Sequence, residues 1–508
     1  MAEDSSKDET GRGKPGHQPP AGAETSATWT GAGASIDYLA SAQWIVLRKK
    51  EKPAAEIFSV SYVAKGKRGR PVTFVFNGGP GASSAYLHMG AAGPLRVAFQ
   101  ADGTLPQMPP RLVGNEESWL RFTDLVFVDP VGTGFSRVID EAGQGPEERT
   151  KRDPDRDNGD GREYFGYKRD LESLCEFISR WLSGHGRWGS AVFIAGESYG
   201  GYRVGRLTRM LQETTGVGLS GAVLISPALE FASLAPTDYD VTGWVDLVPT
   251  MTIAAVHHRR SRAFPGGAPP REVLAEAESF ATGEYATLLV RGAAMPAGDR
   301  DRILRRLADL IGLPADVVAR AGGRITMSAF ARELLRDERR VVGLYDATIT
   351  TTDPFPDREE FAGPDPTLAG IGSAYTTAIN RQLRSEIGVE TDREYVVLSY
   401  EVNELWRNDA TEGFFTPPVG ASDDLRYGLA LNPHMKALIA HGRYDLVTPY
   451  YASDRLRNLM RLDPQTAERV APLQFGGGHM FYAWEESRRE FAAVVAAFVA
   501  DAVAVSQE

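Results

Sequence analysis

The chain has 508 residues, of which 42% are hydrophobic and 24% charged, enough to bury a large core and ordinary for a globular protein. A formal net charge of −11 argues against a phosphate-tracking nucleic-acid binder, which needs a basic excess. The one cysteine, Cys175, rules out an intrachain disulfide and a multi-cysteine metal site.

Residues 1–35 are polar and rich in Gly, Pro, Ser and charge, and contain no apolar signal segment. They are expected to form a disordered tail, and the protein is expected to be cytoplasmic. Gln43–Leu47 and Ile57–Val63 read as early strands, rich in β-branched and aromatic residues. Pro71–Phe76 and Leu125–Asp129 are short and almost wholly apolar, which fits strands buried on both faces. Each of them ends abruptly in a glycine-rich turn. The stretch from about Glu141 to Arg162 is dense in charge and reads as an exposed loop. A helix is expected over Tyr167–Trp181, with Cys175 as a small buried hydrophobe on it. Strand Ala191–Ala195, a sharp turn, a helix from about Tyr202 and strand Gly221–Ser226 follow.

Such strand–helix alternation predicts a mostly parallel central sheet with helices on both faces. The pattern then changes. From 232 to 390 the chain is largely helical, with helical spacing over Arg271–Ala281, Arg300–Ile311 and Met327–Arg336. This reads as an inserted cap between a first core part, 36–231, and a second, 391–508. Strands Met435–Ala440 and Val470–Phe475 restore the sheet pattern, and a last helix covers about Ala483–Val503. The Ala/Val-rich end is broken by Asp501, so no membrane span is expected.

The strongest chemical signal is Gly196-Glu197-Ser198-Tyr199-Gly200, a G-x-S-x-G between a buried strand and a helix. In that setting the turn holds a serine hydroxyl above the strand end, and the plain alternative is a tight turn with a capping serine. A hydroxyl needs a base to attack at neutral pH. Of eight histidines, His479 in Gly476-Gly477-Gly478-His479 fits best, because it follows an apolar strand and precedes the last helix. Asp445 follows strand Ala437–Ala440 and can accept from the imidazole. Asp409 and Asp424 are weaker rivals, since neither follows a buried strand so closely. The chain order Ser198, Asp445, His479 is that of the α/β-hydrolase fold. The loop Asn77-Gly78-Gly79-Pro80-Gly81 sits where that fold draws one oxyanion donor, expected at Gly79, and the Tyr199 N–H is expected to be the second. Each such donor is worth ~10²–10³ in rate. No metal or cofactor is expected: His257 and His258 are adjacent, not one helical turn apart, and no P-loop pattern occurs.

These motifs together resemble the serine carboxypeptidase family. Asn77-Gly78-Gly79-Pro80-Gly81-Ala82-Ser83-Ser84, Gly93-Pro94, Asp129–Ser136, Gly196–Gly201 and Gly477-Gly478-His479-Met480 carry the resemblance, over about residues 40–230 and 430–490. It implies an α/β-hydrolase that releases C-terminal residues from peptides, with Asn77, Gly78 and Glu197 holding the substrate's terminal carboxylate. Glu197 suits an anionic partner only if a proton is shared between the carboxyls. Two departures stand out. Ala91 occupies the position of a second family glutamate, and Ala82 that of a disulfide cysteine. The first makes an esterase or acyltransferase the alternative reading. A prolyl aminopeptidase is disfavoured, because its related loop begins with His where this chain has Asn77. A non-catalytic binding protein is disfavoured because no triad position is substituted. Side-chain preference and oligomeric state are not legible; Trp244, Tyr239 and Tyr86 are candidate pocket residues.

Overall fold

A computed structural model describes residues 17–67, 69–139, 161–358, 363–407 and 419–504. Residues 1–16 of the expected tail and 141–160 of the expected charged loop lie outside the described residues.

The tail expectation fails beyond residue 22. Ala23–Gly31 forms strand β1, paired antiparallel with β2, Ala34–Lys49. Its side chains alternate in exposure, and Trp29 is buried with its indole N–H donating to the Asn115 carbonyl. Polar composition masked that period of two, because apart from Trp29 the inward face holds only Ala23, Thr25, Ala27 and Gly31. Ala32 and Gly33, both at positive φ, make the two-residue turn that this hairpin requires.

The remaining strands are β3 (Lys52–Ala64), β4 (Val72–Phe76), β5 (Leu95–Val97), β6 (Leu112–Gly114), β7 (Asp124–Asp129) and β8 (Arg137–Val138). After them come β9 (Val192–Glu197), β10 (Gly221–Ile225), β11 (Arg340–Val342), β12 (Thr350–Thr352), β13 (Lys436–Gly442) and β14 (Val470–Phe475). The main sheet runs β1-β2-β3-β7-β4-β9-β10-β13-β14, with β8 beside β3. From β7 to β14 every pairing is parallel. Its central strands feed two cores by alternation. Val75, Phe193, Ala195, Val223 and Leu438 face one, whereas Phe74, Val192, Ile194, Leu224 and Ile439 face the other. Both faces are covered by helices, as purely parallel strands demand. Helix Tyr199–Thr214 packs on the second face and helix Glu485–Ala504 on the first.

After β4 the chain moves outward to β7, then returns to place β9 on the other side of β4. The strand order therefore reverses between β4 and β9, and the crevice at their carboxyl ends is the position where open α/β sheets bind ligands. This topology is the α/β-hydrolase fold.

Helices Thr242–His257, Pro270–Phe280, Ala297–Ile311 and Met327–Glu333 pack around an apolar cluster of their own that includes Trp244, Met251, Phe280 and Leu307. The cap expected over 232–390 extends too far, however. Helix Ala369–Arg381 and the turn reaching Ile387 put Ile371, Tyr375, Ile379 and Leu383 into the first sheet core. Helical periodicity does not say which body an apolar stripe packs on, and here it packs on the sheet.

Candidate active site

Ser198 occupies the turn between β9 and helix Tyr199–Thr214, with φ 60° and ψ −123°. A non-glycine residue at such φ is strained, and this strain lifts the nucleophile clear of the strand in G-x-S-x-G turns. The turn is locked from below: the Ser198 N–H donates to Ile225 O at 2.9 Å, and Ser198 O accepts from the Ala228 N–H at 3.0 Å. Among the described residues the Ser198 hydroxyl makes no hydrogen bond, and the side chain is part-exposed.

Asp445 follows β13 and is fully buried. One carboxylate oxygen accepts from the N–H groups of Val447 and Thr448 at 2.9 and 3.0 Å. The other accepts from the Thr448 hydroxyl at 2.6 Å and lies 2.7 Å from His479 Nδ1. The imidazole proton is thereby assigned to Nδ1, which leaves the Nε2 lone pair available as a base. Burial pulls the His479 pKa down, but the Asp445 carboxylate, its hydrogen bond and Glu197 more than offset this and hold it above the usual value.

Three strand ends are stitched together here. Ser226, just past β10, donates its hydroxyl to His479 O at 2.9 Å, and the Thr448 hydroxyl lies 3.0 Å from Ser226 O. The loop from the inserted region, Leu344–Ala347, wedges between the acid and histidine loops. Leu344 O accepts from Leu446 N–H, the Ala347 N–H donates to Tyr444 O, and Tyr345 O accepts from the His479 N–H. The buried Asp346 accepts from the Gly478 N–H and the Trp484 indole, and burial raises its pKa to about 6. The sequence reading missed this brace, since nothing local marks Tyr345 and Asp346 as neighbours of residues about a hundred positions away.

The Asn77–Gly81 loop leaves β4 and meets the nucleophile turn. A Cβ on Gly78 would lie 2.6 Å from Tyr199 N and 2.9 Å from Ser198 Cβ, so only glycine permits this approach. Gly79 sits at φ +96°. Among the described residues the Gly79 and Tyr199 N–H groups have no acceptor, as two oxyanion donors require. Behind the loop, Arg203 holds the Asn77 carbonyl at 2.7 Å and pairs with Asp170 through contacts of 2.8 and 3.1 Å. Both members of the pair are buried. Arg203 is legible as a charge among Tyr199, Tyr202, Val204 and Leu207 on the buried face of a helix whose outer face carries Arg206 and Arg209, but the reading did not single it out. Asp170→Ala leaves the guanidinium buried without its carboxylate. It is expected to destabilise the fold by about 3–5 kcal/mol, read as a lowered unfolding midpoint in denaturant.

Glu197 is a further titratable group at this rim, 3% exposed. Asn77 Nδ2 donates to Oε2 and the Tyr482 hydroxyl donates to Oε1 at 2.8 Å. The Asn77 side-chain Oδ1 in turn accepts from the Leu87 N–H at 3.0 Å, which fixes the amide orientation. Desolvation raises the Glu197 pKa to about 7, against the lowering effects of His479, Tyr482 and Asn77. Near neutral pH this carboxyl keeps a proton for a large fraction of the time.

A cavity of about 260 Å³, lined by Trp244, Leu247, Met327, Leu446 and Val447 among others, lies beside the Asp445 loop. Of the three aromatic residues named from sequence, Trp244 lines it, Tyr86 is buried and Tyr239 is 97% exposed. Asp424, the rival acid, pairs instead with Arg206 and Arg209 on the far side of helix Tyr199–Thr214. Asp409 lies outside the described residues.

Residues 47–256 match the serine carboxypeptidase family model. The match contains the Asn77 loop and Ser198 and ends before β13 and β14, which precede Asp445 and His479. Serine carboxypeptidase-like 36 of Arabidopsis thaliana is 29% identical over 185 residues, 35% of this chain and 33% of that one. Serine carboxypeptidase 3 of Triticum aestivum is 28% identical over 197 residues, 36% of this chain and 33% of that one. Pheromone-processing carboxypeptidase KEX1 of Saccharomyces cerevisiae is 39% identical over 93 residues, 18% of this chain and 11% of that one. The chain thus spans about a third of the length of the first of these relatives. Among solved structures, proline iminopeptidase of Mycobacterium smegmatis covers 91% of this chain at 13% identity and a TM-score of 0.35, an overlap too loose to carry an argument.

Proposed function

We propose that this chain is a serine-type carboxypeptidase that releases C-terminal residues from peptides, a reading supported by the match of residues 47–256 to the serine carboxypeptidase family model. Ser198 Oγ attacks the last peptide carbonyl carbon, and its proton passes to His479 Nε2. Asp445 holds the resulting imidazolium in place and stabilises its charge. The carbonyl electron pair moves onto oxygen, where the Gly79 and Tyr199 N–H groups receive it. Collapse breaks the C–N bond, and the leaving amine takes the proton from His479. Water then attacks the Ser198 ester by the same route in reverse.

The observation that carries the carboxypeptidase reading is the buried Glu197 carboxyl beside the nucleophile, held by Asn77 and Tyr482 and shifted to a pKa of about 7. A protonated carboxyl can donate to a substrate carboxylate, whereas an ionised one repels it. Asn77 and Gly78 complete the clamp. The apolar cavity beside Asp445 is suited to an uncharged substrate side chain. An esterase uses the same serine, histidine and acid, but has no need of a proton-bearing carboxyl at this spot. A matched pair of peptides, one with a free C-terminus and one amidated, separates the two. The free acid is expected to have the higher kcat/KM by at least ~10². Equal turnover of both, with faster hydrolysis of simple acyl esters, would favour the esterase reading.

A further inference from the structure

We propose that Tyr482 is a positioning residue for Glu197, and that the carboxylate clamp of this chain works with one carboxyl and one phenol. The inference rests on the carboxypeptidase reading. Its geometry is specific. Tyr482 is fully buried, and a buried phenol O–H needs an acceptor. The acceptor is Glu197 Oε1. The ring reaches it past residue 90, where a Cβ would lie 2.7 Å from Tyr482 Cε2, so Gly90 makes the room. Next to that glycine stands Ala91, buried and without a polar group, where the resemblance leads to a second glutamate. The phenol therefore supplies the hydrogen bond to Glu197 that Ala91 cannot make.

A phenol differs from a carboxyl in one decisive way: at working pH it does not ionise. Burial and the neighbouring Glu197 push the Tyr482 pKa well up, so it donates throughout. Glu197 alone then titrates in the clamp. The groups that face it are His479 and Asp445 across the nucleophile, Asn77 from the glycine loop, and Tyr86, Tyr345, Tyr375 and Tyr482 around it. Of these only His479 is a base that can become positively charged. The Tyr375 hydroxyl is buried without a partner among the described residues, close to Gly90.

The sign of the expected pH effect follows. A free-acid substrate binds while Glu197 holds its proton, and binding weakens as pH rises through the Glu197 pKa of about 7. The Tyr482 bond favours the ionised form and so lowers that pKa; removing it raises it.

The test compares the purified enzyme with Tyr482→Phe, Glu197→Gln and the double variant. The same free-acid and amidated peptides serve as substrates, between about pH 5 and pH 9. In the unsubstituted enzyme, KM for the free acid climbs above about pH 7, while KM for the amide stays flat. In Tyr482→Phe, KM for the free acid at low pH rises by about tenfold. The climb then begins at higher pH, and kcat and the amide KM hardly move. On the Glu197→Gln background the amide oxygen still accepts from the phenol but does not titrate, so adding Tyr482→Phe raises the free-acid KM and there is no pH break to move. A structural defect would instead lower kcat on both peptides in every background. An unchanged free-acid KM and an unmoved pH break in Tyr482→Phe would overturn the proposal, as would a pH break that persists on the Glu197→Gln background. If the unsubstituted enzyme itself shows no preference for the free acid, the carboxypeptidase reading fails first, and the two failures are told apart.

Discussion

Ser198→Ala is expected to lower kcat by about 10⁶ on a free-acid peptide while leaving KM within a few-fold. The loss is this large because every catalytic group acts through that one oxygen. Without it His479 has no proton to accept, and the two N–H donors at Gly79 and Tyr199 have no attached tetrahedral oxyanion to stabilise. Binding survives because the Asn77, Glu197 and Tyr482 contacts run through other atoms. Among the described residues the Ser198 hydroxyl forms no hydrogen bond, so the unfolding midpoint is expected to stay close to that of the unsubstituted chain. Steady-state kinetics on the purified variant, with its melting curve alongside, measures both. A variant that keeps more than about a hundredth of the original kcat would place the nucleophile elsewhere.

Asp445→Asn is expected to cost about 10⁴ in kcat, for a reason readable from the hydrogen bonds. In the native chain one oxygen of Asp445 accepts two backbone N–H groups, from Val447 and Thr448. An asparagine satisfies those two donors only by turning its carbonyl oxygen toward them. Its NH₂ then points at His479 Nδ1, where Asp445 now accepts a proton. The imidazole must respond by moving its proton to Nε2, and in that tautomer it presents a donor to Ser198 instead of a base. The amide also removes the carboxylate charge that holds the His479 pKa up. KM at low pH, where Glu197 holds its proton, should change little, since Asp445 makes no hydrogen bond to the clamp. The measurement is kcat against pH: the plateau should drop, and the acid limb should move to lower pH as His479 loses its partner. A loss of tenfold or less would make Asp445 a packing residue.

Much of this site was legible in the sequence. Ser198 and Asp445 each follow an apolar run that forms a buried strand, His479 follows the part-exposed edge strand β14, and glycines flank the positions where backbones must touch. Gly78 illustrates the link, because its missing Cβ is what lets the loop rest on Tyr199 N. The central strands were legible for the same reason, as short apolar runs cut off by turns. What escaped the reading depends on long-range packing. β1 is polar and small in composition, and only its pairing with β2 makes it a strand. Helix Ala369–Arg381 has a clear apolar stripe, yet periodicity cannot tell cap from core. Tyr345, Asp346 and Tyr482 lack any local signature. They matter through the His479 amide, the Gly478 amide and the Glu197 carboxyl, contacts that form only when separate loops close on one another.

The most direct test of the central assignment is covalent labelling with a fluorophosphonate, which reacts with an activated serine and leaves an adduct that peptide mass spectrometry can locate. The account predicts a single adduct, on Ser198, formed in step with loss of peptide hydrolysis and abolished in His479→Ala. Full hydrolysis with Ser198 unmodified, or an inactivating adduct on any other residue, would contradict it.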